Sequence, residues 1–214
     1  MNAVRRQLDV TQLKGDWAFV TGASAGIGKE FSVQLAQHGM NVVMVARRQR
    51  LLESLAQQLE KDFNIQCLCI PLNLDELSAI AAIKKVLNEK GVKIRLLVNN
   101  AGVNFYGRFE TMDIAQNIQM MHLNMLAVSL LCKEFLNDLK EHSTSAIINI
   151  SSQAALNPIP GSALYAATKA FVHSLSLSLY EELKDTGVIV QTLIPGPTGT
   201  ESTQRTDIRF KRIK

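Results

Sequence analysis

Cysteine is scarce in this chain: three residues in 214, an odd number and too few for a disulfide framework. Cys67 and Cys69 alternate along a strand-like run, which places both on one side as small buried apolar groups. A reducing, cytoplasmic setting is the expected compartment. No apolar stretch approaches the 18 or so residues of a membrane span, and no membrane association is expected. The opening, Met1-Asn-Ala-Val-Arg-Arg-Gln-Leu-Asp9, is basic without an apolar core behind it, so a secretory signal is not expected. The four histidines, His38, His122, His142 and His173, are scattered, with no second ligand at metal spacing. No metal is expected. Charge of one sign is also missing. The net +4 divides into +3 over residues 201–214, with five basic and two acidic groups, and +1 over the rest. Such a tail is more often solvated than bound to nucleic acid, so a nucleic-acid partner is not expected.

What remains is ordinary globular composition, 47% hydrophobic and 20% charged. The length suits one domain with a sizeable core, spanning 1–214 with a short extension over 1–14 and a basic tail over 201–214. Strand and helix patterns alternate without a break. Strands are predicted over 17–20, 41–46, 65–72, 94–98, 146–150 and 188–194. Helices are predicted over 27–38, 49–62, 75–89 with Asp75 as N-cap, 111–121, 123–141 and 162–184. Strands that are apolar throughout, joined by helices, specify an α/β fold: a parallel sheet covered on both faces.

Strand one runs into Thr21-Gly22-Ala-Ser24-Ala-Gly26-Ile27-Gly28 and then a helix. Glycines in that context allow a tight turn and the close approach of a pyrophosphate to a helix N-terminus. Near the other end, Tyr165-Ala-Ala-Thr-Lys169 puts a phenol and an ammonium on one helical face. Ser152 closes the strand over 146–150. A neighbouring cation lowers a phenol pKa, and a serine hydroxyl can hold an oxygen on which charge builds. Tyrosine and lysine at this spacing are common by chance. The convergence is not. Gly22, Arg47, Asn73, Asn99-Asn100, Ser152 and Pro195-Gly196 all fall at strand ends, where ligands sit in a parallel sheet.

These motifs, in this order over about residues 15–200, resemble the short-chain dehydrogenase/reductase family. The resemblance implies a doubly wound Rossmann fold of mainly parallel strands. It makes Gly22, Ser24, Gly26, Ile27 and Gly28 the cofactor loop and Asn99-Asn100-Ala101-Gly102 the segment on the adenosine side. It makes Asn124, Ser152, Tyr165 and Lys169 a catalytic tetrad, and Pro195-Gly196-Pro-Thr198-Gly-Thr200 the loop over the nicotinamide. In those roles Tyr165 is the general acid or base and Ser152 fixes the substrate oxygen. Lys169 holds the ribose and depresses the Tyr165 pKa, and Asn124 carries a water in the proton relay. Arg47 after strand two, with no carboxylate there, favours NADP(H) over NAD(H). Arg48 and Arg50 read as a solvated helix start. Asn73 and Leu74 stand at the adenine. Gln153 joins Ser152 and Tyr165 on the substrate side, with Asn104, Tyr106, Leu156 and Pro158 lining the pocket.

Family members usually continue past Thr200 with a small lid, another helix and a seventh strand. Fourteen residues remain here, so the last strand and lid are expected to be missing and strand six to form a sheet edge. The chain therefore reads as an NADP(H)-dependent oxidoreductase interconverting a ketone or aldehyde and an alcohol, as a homodimer acting on a small molecule. A catalytically silent dinucleotide-binding protein, or a remnant of an enzyme, is the alternative.

Overall fold

The computed structural model describes residues 8–196; residues 1–7, Thr198, Thr200 and the basic tail lie outside the described residues. Six strands form one sheet: β1 (Trp17–Thr21), β2 (Asn41–Ala46), β3 (Cys67–Pro71), β4 (Ile94–Asn99), β5 (Ser145–Ile150) and β6 (Val188–Leu193). The spatial order is β3-β2-β1-β4-β5-β6, and every pairing is parallel. Order reverses between β1 and β4, which opens a crevice at their carboxyl ends. Among the described residues β3 and β6 are the edges.

Six helices cover the sheet: α1 (Gly26–Gln37), α2 (Gln49–Phe63), α3 (Ala79–Glu89), α4 (Ile114–Met121), α5 (Ala127–Lys140) and α6 (Ala163–Glu182). Strand alternation divides the core in two. Phe19, Val43 and Val45 point to one face and pack with Ile83, Leu131, Phe135 and Val172 of α3, α5 and α6. Ala18, Val20, Val42 and Met44 point to the other, under Leu35 of α1 and Leu52 and Leu59 of α2. Each fully buried Leu or Phe contributes about 1.5–3 kcal/mol. The rings of Phe19 and Phe135 meet at 4.9 Å and 50°. At the opposite end from the crevice, Arg95 binds Asp16 at 2.6 Å and the Thr144 carbonyl at 2.7 Å. That pair ties the entries of β1, β4 and β5 together.

Three expectations change. Asp75 does not cap α3; residues 74–78 form turns, and the helix starts at Ala79. The Asp75 carboxylate is taken by Gln119 of α4, whose Nε2 donates to Oδ2 at 2.8 Å, so it is not available to cap α3. The helices expected at 111–121 and 123–141 are one rod, in which a single π-turn over His122–Leu126 joins α4 to α5. Asp113 accepts from the Ala115 amide and fixes its start. Cys67 and Cys69 share a face but are half-buried. Burial, with Glu60 and Glu53 nearby, pushes their thiols up to about 12 and about 11, so both are unreactive. No metal-binding cluster occurs among the described residues, and no described helix is long and apolar enough to cross a membrane.

Candidate active site

The glycine turn is built by lacing β1 to the segment after β4. Thr21 Oγ1 accepts from the amides of Asn100 and Ala101, both at 2.9 Å. Asn100 Nδ2 donates to the Thr21 carbonyl at 2.9 Å and, more weakly, to Gly22 at 3.4 Å. A Cβ on Gly28 would run into that Asn100 amide and the Gly22 carbonyl, so the turn closes only on glycine. Gly26, at φ +54°, swings the chain into α1. The N-cap residue Ala25 offers no side-chain acceptor, and the first turn of α1 holds no acidic residue. Its leading amides and the positive end of the helix are therefore left to an outside anion.

At the end of β2, Arg47 is exposed. Arg48 is not the solvated residue expected from the sequence. It is half-buried, and its Nε and Nη2 donate to Ser24 Oγ at 3.2 and 3.1 Å. A third contact, Nη2 to the Ser24 carbonyl, is 3.5 Å. A second guanidinium thus sits on the glycine loop itself. Asn73 is half-buried after the end of β3, and the side chain of Leu74 belongs to the core.

Across the switch point, β5 delivers Ser151 and Ser152. Ser151 Oγ donates to the Lys169 carbonyl at 2.8 Å, and Lys169 Nζ donates to the Ile150 carbonyl at 2.9 Å. The two bonds pin α6 to the strand end. Ser152 is extended and accepts from the Ala154 amide at 3.2 Å, and its hydroxyl is close enough to the Tyr165 phenol to pull that pKa down. Lys169 is 5% exposed, and its Nζ stands 5.9 Å from the Tyr165 ring centroid. Burial pushes its pKa down to about 8. Burial also pushes the Tyr165 phenol above its ordinary value, against the opposing pull of Ser152. Burial outweighs that pull, so the phenol lies above its ordinary value rather than below it.

Asn124 is fully buried in the π-turn. Its Oδ1 accepts from the Val103 amide and its Nδ2 donates to the Val103 carbonyl, both at 2.9 Å. Nδ2 also donates to Thr168 Oγ1 at 3.1 Å. Both amide hydrogens are used, so the side chain has no donor left for a relay water. A Cβ on Gly102 would stand 3.1 Å from Asn124 Oδ1 and 3.4 Å from Lys169 Nζ; the backbone of this segment abuts both. Beyond β6, the Pro195 carbonyl accepts from the Gln153 amide at 3.3 Å, and Gly196 lies against the Gln153 side chain. The crevice thus gathers Asn124, Ser152, Tyr165, Lys169, the glycine turn, Asn100, Ala101, Gly102 and Pro195–Gly196. The sequence pattern does not single out Thr21, Ser151 and Thr168. Their signal is small: buried polar residues directly beside the motif positions. An open cleft of about 470 Å³ beside α4, lined by Asp75, Ala115, Gln116, Ile118, Gln119 and His122, shares no residue with this assembly.

Residues 16–209 match the sequence profile of the short chain dehydrogenase family. Over 192 residues the chain is 34% identical to mouse (Mus musculus) 17-beta-hydroxysteroid dehydrogenase type 3, covering 89% of this chain and 62% of that protein. It is 34% identical to human (Homo sapiens) very-long-chain 3-oxoacyl-CoA reductase over 85% of this chain and 59% of that protein. The chain thus spans about three-fifths of the length of these curated relatives. Among solved structures, a short-chain dehydrogenase from Sphingobium yanoikuyae in complex with NADPH superposes with a TM-score of 0.84 at 33% identity, covering 89% of this chain and 74% of that one. A metagenomic short-chain oxidoreductase in complex with NADP gives 0.80 at 34% identity, covering 87% and 84%. The parallel order, the glycine turn and the matched residues agree: the chain belongs to the short-chain dehydrogenase family.

Proposed function

We propose that the chain is an NADP(H)-dependent oxidoreductase that interconverts a ketone or aldehyde and an alcohol. The observation that carries this reading is the placing of Ser152, Tyr165 and Lys169 together at the sheet's switch point. The residues present fit a dinucleotide. The uncapped start of α1 offers amides for a pyrophosphate, and Gly22, Ser24, Gly26, Ile27 and Gly28 shape the approach. Asn73, Leu74, Asn100, Ala101 and Gly102 line the adenosine side, and Pro195 and Gly196 the other. Arg47 and Arg48 favour a 2′-phosphate, the second already held on the loop by Ser24. When bound, the cofactor supplies or accepts the hydride.

The chain's own residues then handle the proton. Ser152 and Tyr165 direct two hydroxyls at one oxygen, and negative charge developing there is stabilised by both. Tyr165, whose pKa burial pushes above its ordinary value, is protonated near neutral pH and donates to that oxygen. Lys169 is charged below about pH 8 and supplies a positive charge behind the phenol. Asn124 holds the Val103 backbone so that Gly102 stays against Lys169. The substrate is a small-molecule carbonyl compound. The protein is taken as a cytoplasmic homodimer, with Leu177 and Tyr180 exposed on α6 for the contact.

Fluorescence titration with NADPH and NADH, followed by a panel of carbonyl compounds with the preferred cofactor, tests the reading. The expected result is tighter binding of NADPH and turnover lost in Tyr165→Phe. Tight NADPH binding without turnover across a broad panel would point to a silent binder.

A further inference from the structure

We propose that Tyr106 is a positioning residue, a latch joining the two loops that flank Tyr165, and that the closed latch selects bulky apolar carbonyl compounds. This deepens the proposed carbonyl reduction and rests on it for the substrate. The loops are the segment following β4, 100–107, and the segment following β5, 151–162.

Three contacts fasten them. The Gly107 amide donates to the Gly161 carbonyl at 2.9 Å. The Tyr106 hydroxyl donates to the Pro160 carbonyl at 3.3 Å. The Tyr106 ring lies on Gly161, where a Cβ would come within 2.6 Å of ring Cζ. Gly161 is therefore constrained twice, by that ring and by its φ of +82°, which other residues rarely adopt.

Both ends of the latch lead to the catalytic assembly. Gly161 precedes Ser162, whose carbonyl accepts from Ala166 at 2.8 Å in the first turn of α6, the turn that carries Tyr165. Upstream of Tyr106, Val103 is held by Asn124. A shift at Gly161 moves the root of α6, and Tyr106 couples that root to the loop anchored on Asn124.

Tyr106 is 50% exposed, so its ring is not there to fill the core. The loops it joins keep apolar side chains in solvent, Leu156 at 55% and Ile159 at 47%. Pro158 and Pro160 hold that segment stiff. A stiff apolar rim recognises a large ketone through its surface, and gives a small one little to bind.

The test compares wild type, Tyr106→Ala and Tyr106→Phe by hydrogen exchange of peptides covering 103–108 and 156–162. It adds steady-state kinetics with NADPH on benzophenone and on acetone. In Tyr106→Ala, exchange in both segments should rise about ten-fold and KM for benzophenone about ten-fold. NADPH affinity should stay put, and KM for acetone should rise far less than that for benzophenone. Tyr106→Phe keeps the ring on Gly161 and should restore most of both. Unchanged exchange in Tyr106→Ala overturns the latch, and equal losses on both ketones overturn the selection. If wild type binds NADPH yet reduces no ketone in any panel, the reading of the chain as a reductase fails and the exchange result alone decides the latch. If Tyr106→Ala does not fold, Tyr106→Leu carries the same comparison.

Discussion

Asn124 Nδ2 donates to Thr168 Oγ1 at 3.1 Å, joining the π-turn between α4 and α5 to α6 one residue before Lys169. Thr168 passes its own proton to the Tyr165 carbonyl at 2.8 Å. The same amide group closes a two-way pair with the Val103 backbone. One buried side chain therefore sets three segments of the site relative to each other. Its worth lies in what it would leave behind: the Val103 N–H and C=O would lose their partners in a dry interior.

Asn124→Ala should therefore destabilise the protein by about 2–4 kcal/mol, since each stranded polar group costs roughly 1–3 kcal/mol. Asn124→Asp keeps the acceptor for the Val103 amide but sets acceptor against acceptor at the Val103 carbonyl and Thr168 and buries a carboxyl, so it should be at least as costly as Asn124→Ala. Urea denaturation of the three proteins checks the order. Equal stability of Asn124→Ala and wild type would show that the Val103 groups find other partners.

Lys169 carries a pH signature in stability. Its folded pKa of about 8 lies below the ordinary 10.5, so the unfolded chain holds that proton more tightly. Burying the charged form costs about 3 kcal/mol below pH 8. That cost shrinks as pH rises from about 8 to 10.5 and then vanishes. Lys169→Met removes it at every pH, while leaving the Ile150 carbonyl without its donor. Thermal melts of both proteins should show the difference between them moving by about 3 kcal/mol in favour of wild type from pH 7 to 10.5. A constant difference would mean that the ammonium is not desolvated.

Much of this is legible in the sequence. The central strands are buried on both faces, and that requirement writes continuous apolar runs such as 42–46. The glycine turn and the Tyr165–Lys169 pair are legible because their geometry is local. The π-turn is not, since an extra residue in a helical turn has no side-chain signature and only Asn124's buried bonds explain it. Nor is the place of Arg48. Whether a guanidinium after β2 reaches Ser24 after β1 depends on the register Val45↔Thr21, a tertiary fact. Asp75 misleads because it resembles a cap, while its carboxylate is spent on Gln119 of α4, a tertiary contact.

Tyr165→Phe should lower carbonyl reduction by about 10²–10⁴-fold, the usual worth of a positioned proton donor, with NADPH affinity unchanged. The wild-type pH profile follows from the raised phenol pKa. The protonated form persists through neutrality, so reduction should stay level there and decline only above about pH 8, where Lys169 first loses the charge behind the phenol. Alcohol oxidation needs the deprotonated form and should climb with pH over the same range. A reductive rate that already falls between pH 6 and 8 would assign the proton to another group.

The paired arginines make a prediction about cofactor choice. Arg48 is held on the glycine loop through Ser24, while Arg47 is exposed beside it. A phosphate arriving there would meet one guanidinium already oriented and one able to fold over. A hydrogen bond to a charged group is worth about 1.5–3 kcal/mol. Arg47→Ala and Arg48→Ala should then each weaken NADPH about 10- to 100-fold, with NADH binding nearly unmoved. Arg48→Lys keeps the charge but loses the planar fork that spans two oxygens, so it should recover only part of the loss. Ser24→Ala removes the hydroxyl acceptor for Arg48 without removing charge, and a loss of a few-fold, specific to NADPH, is expected. Binding titrations of both cofactors against the four variants decide it. If the losses fall equally on NADPH and NADH, the arginines bind the shared pyrophosphate or stabilise the loop, and selection of the 2′-phosphate lies elsewhere.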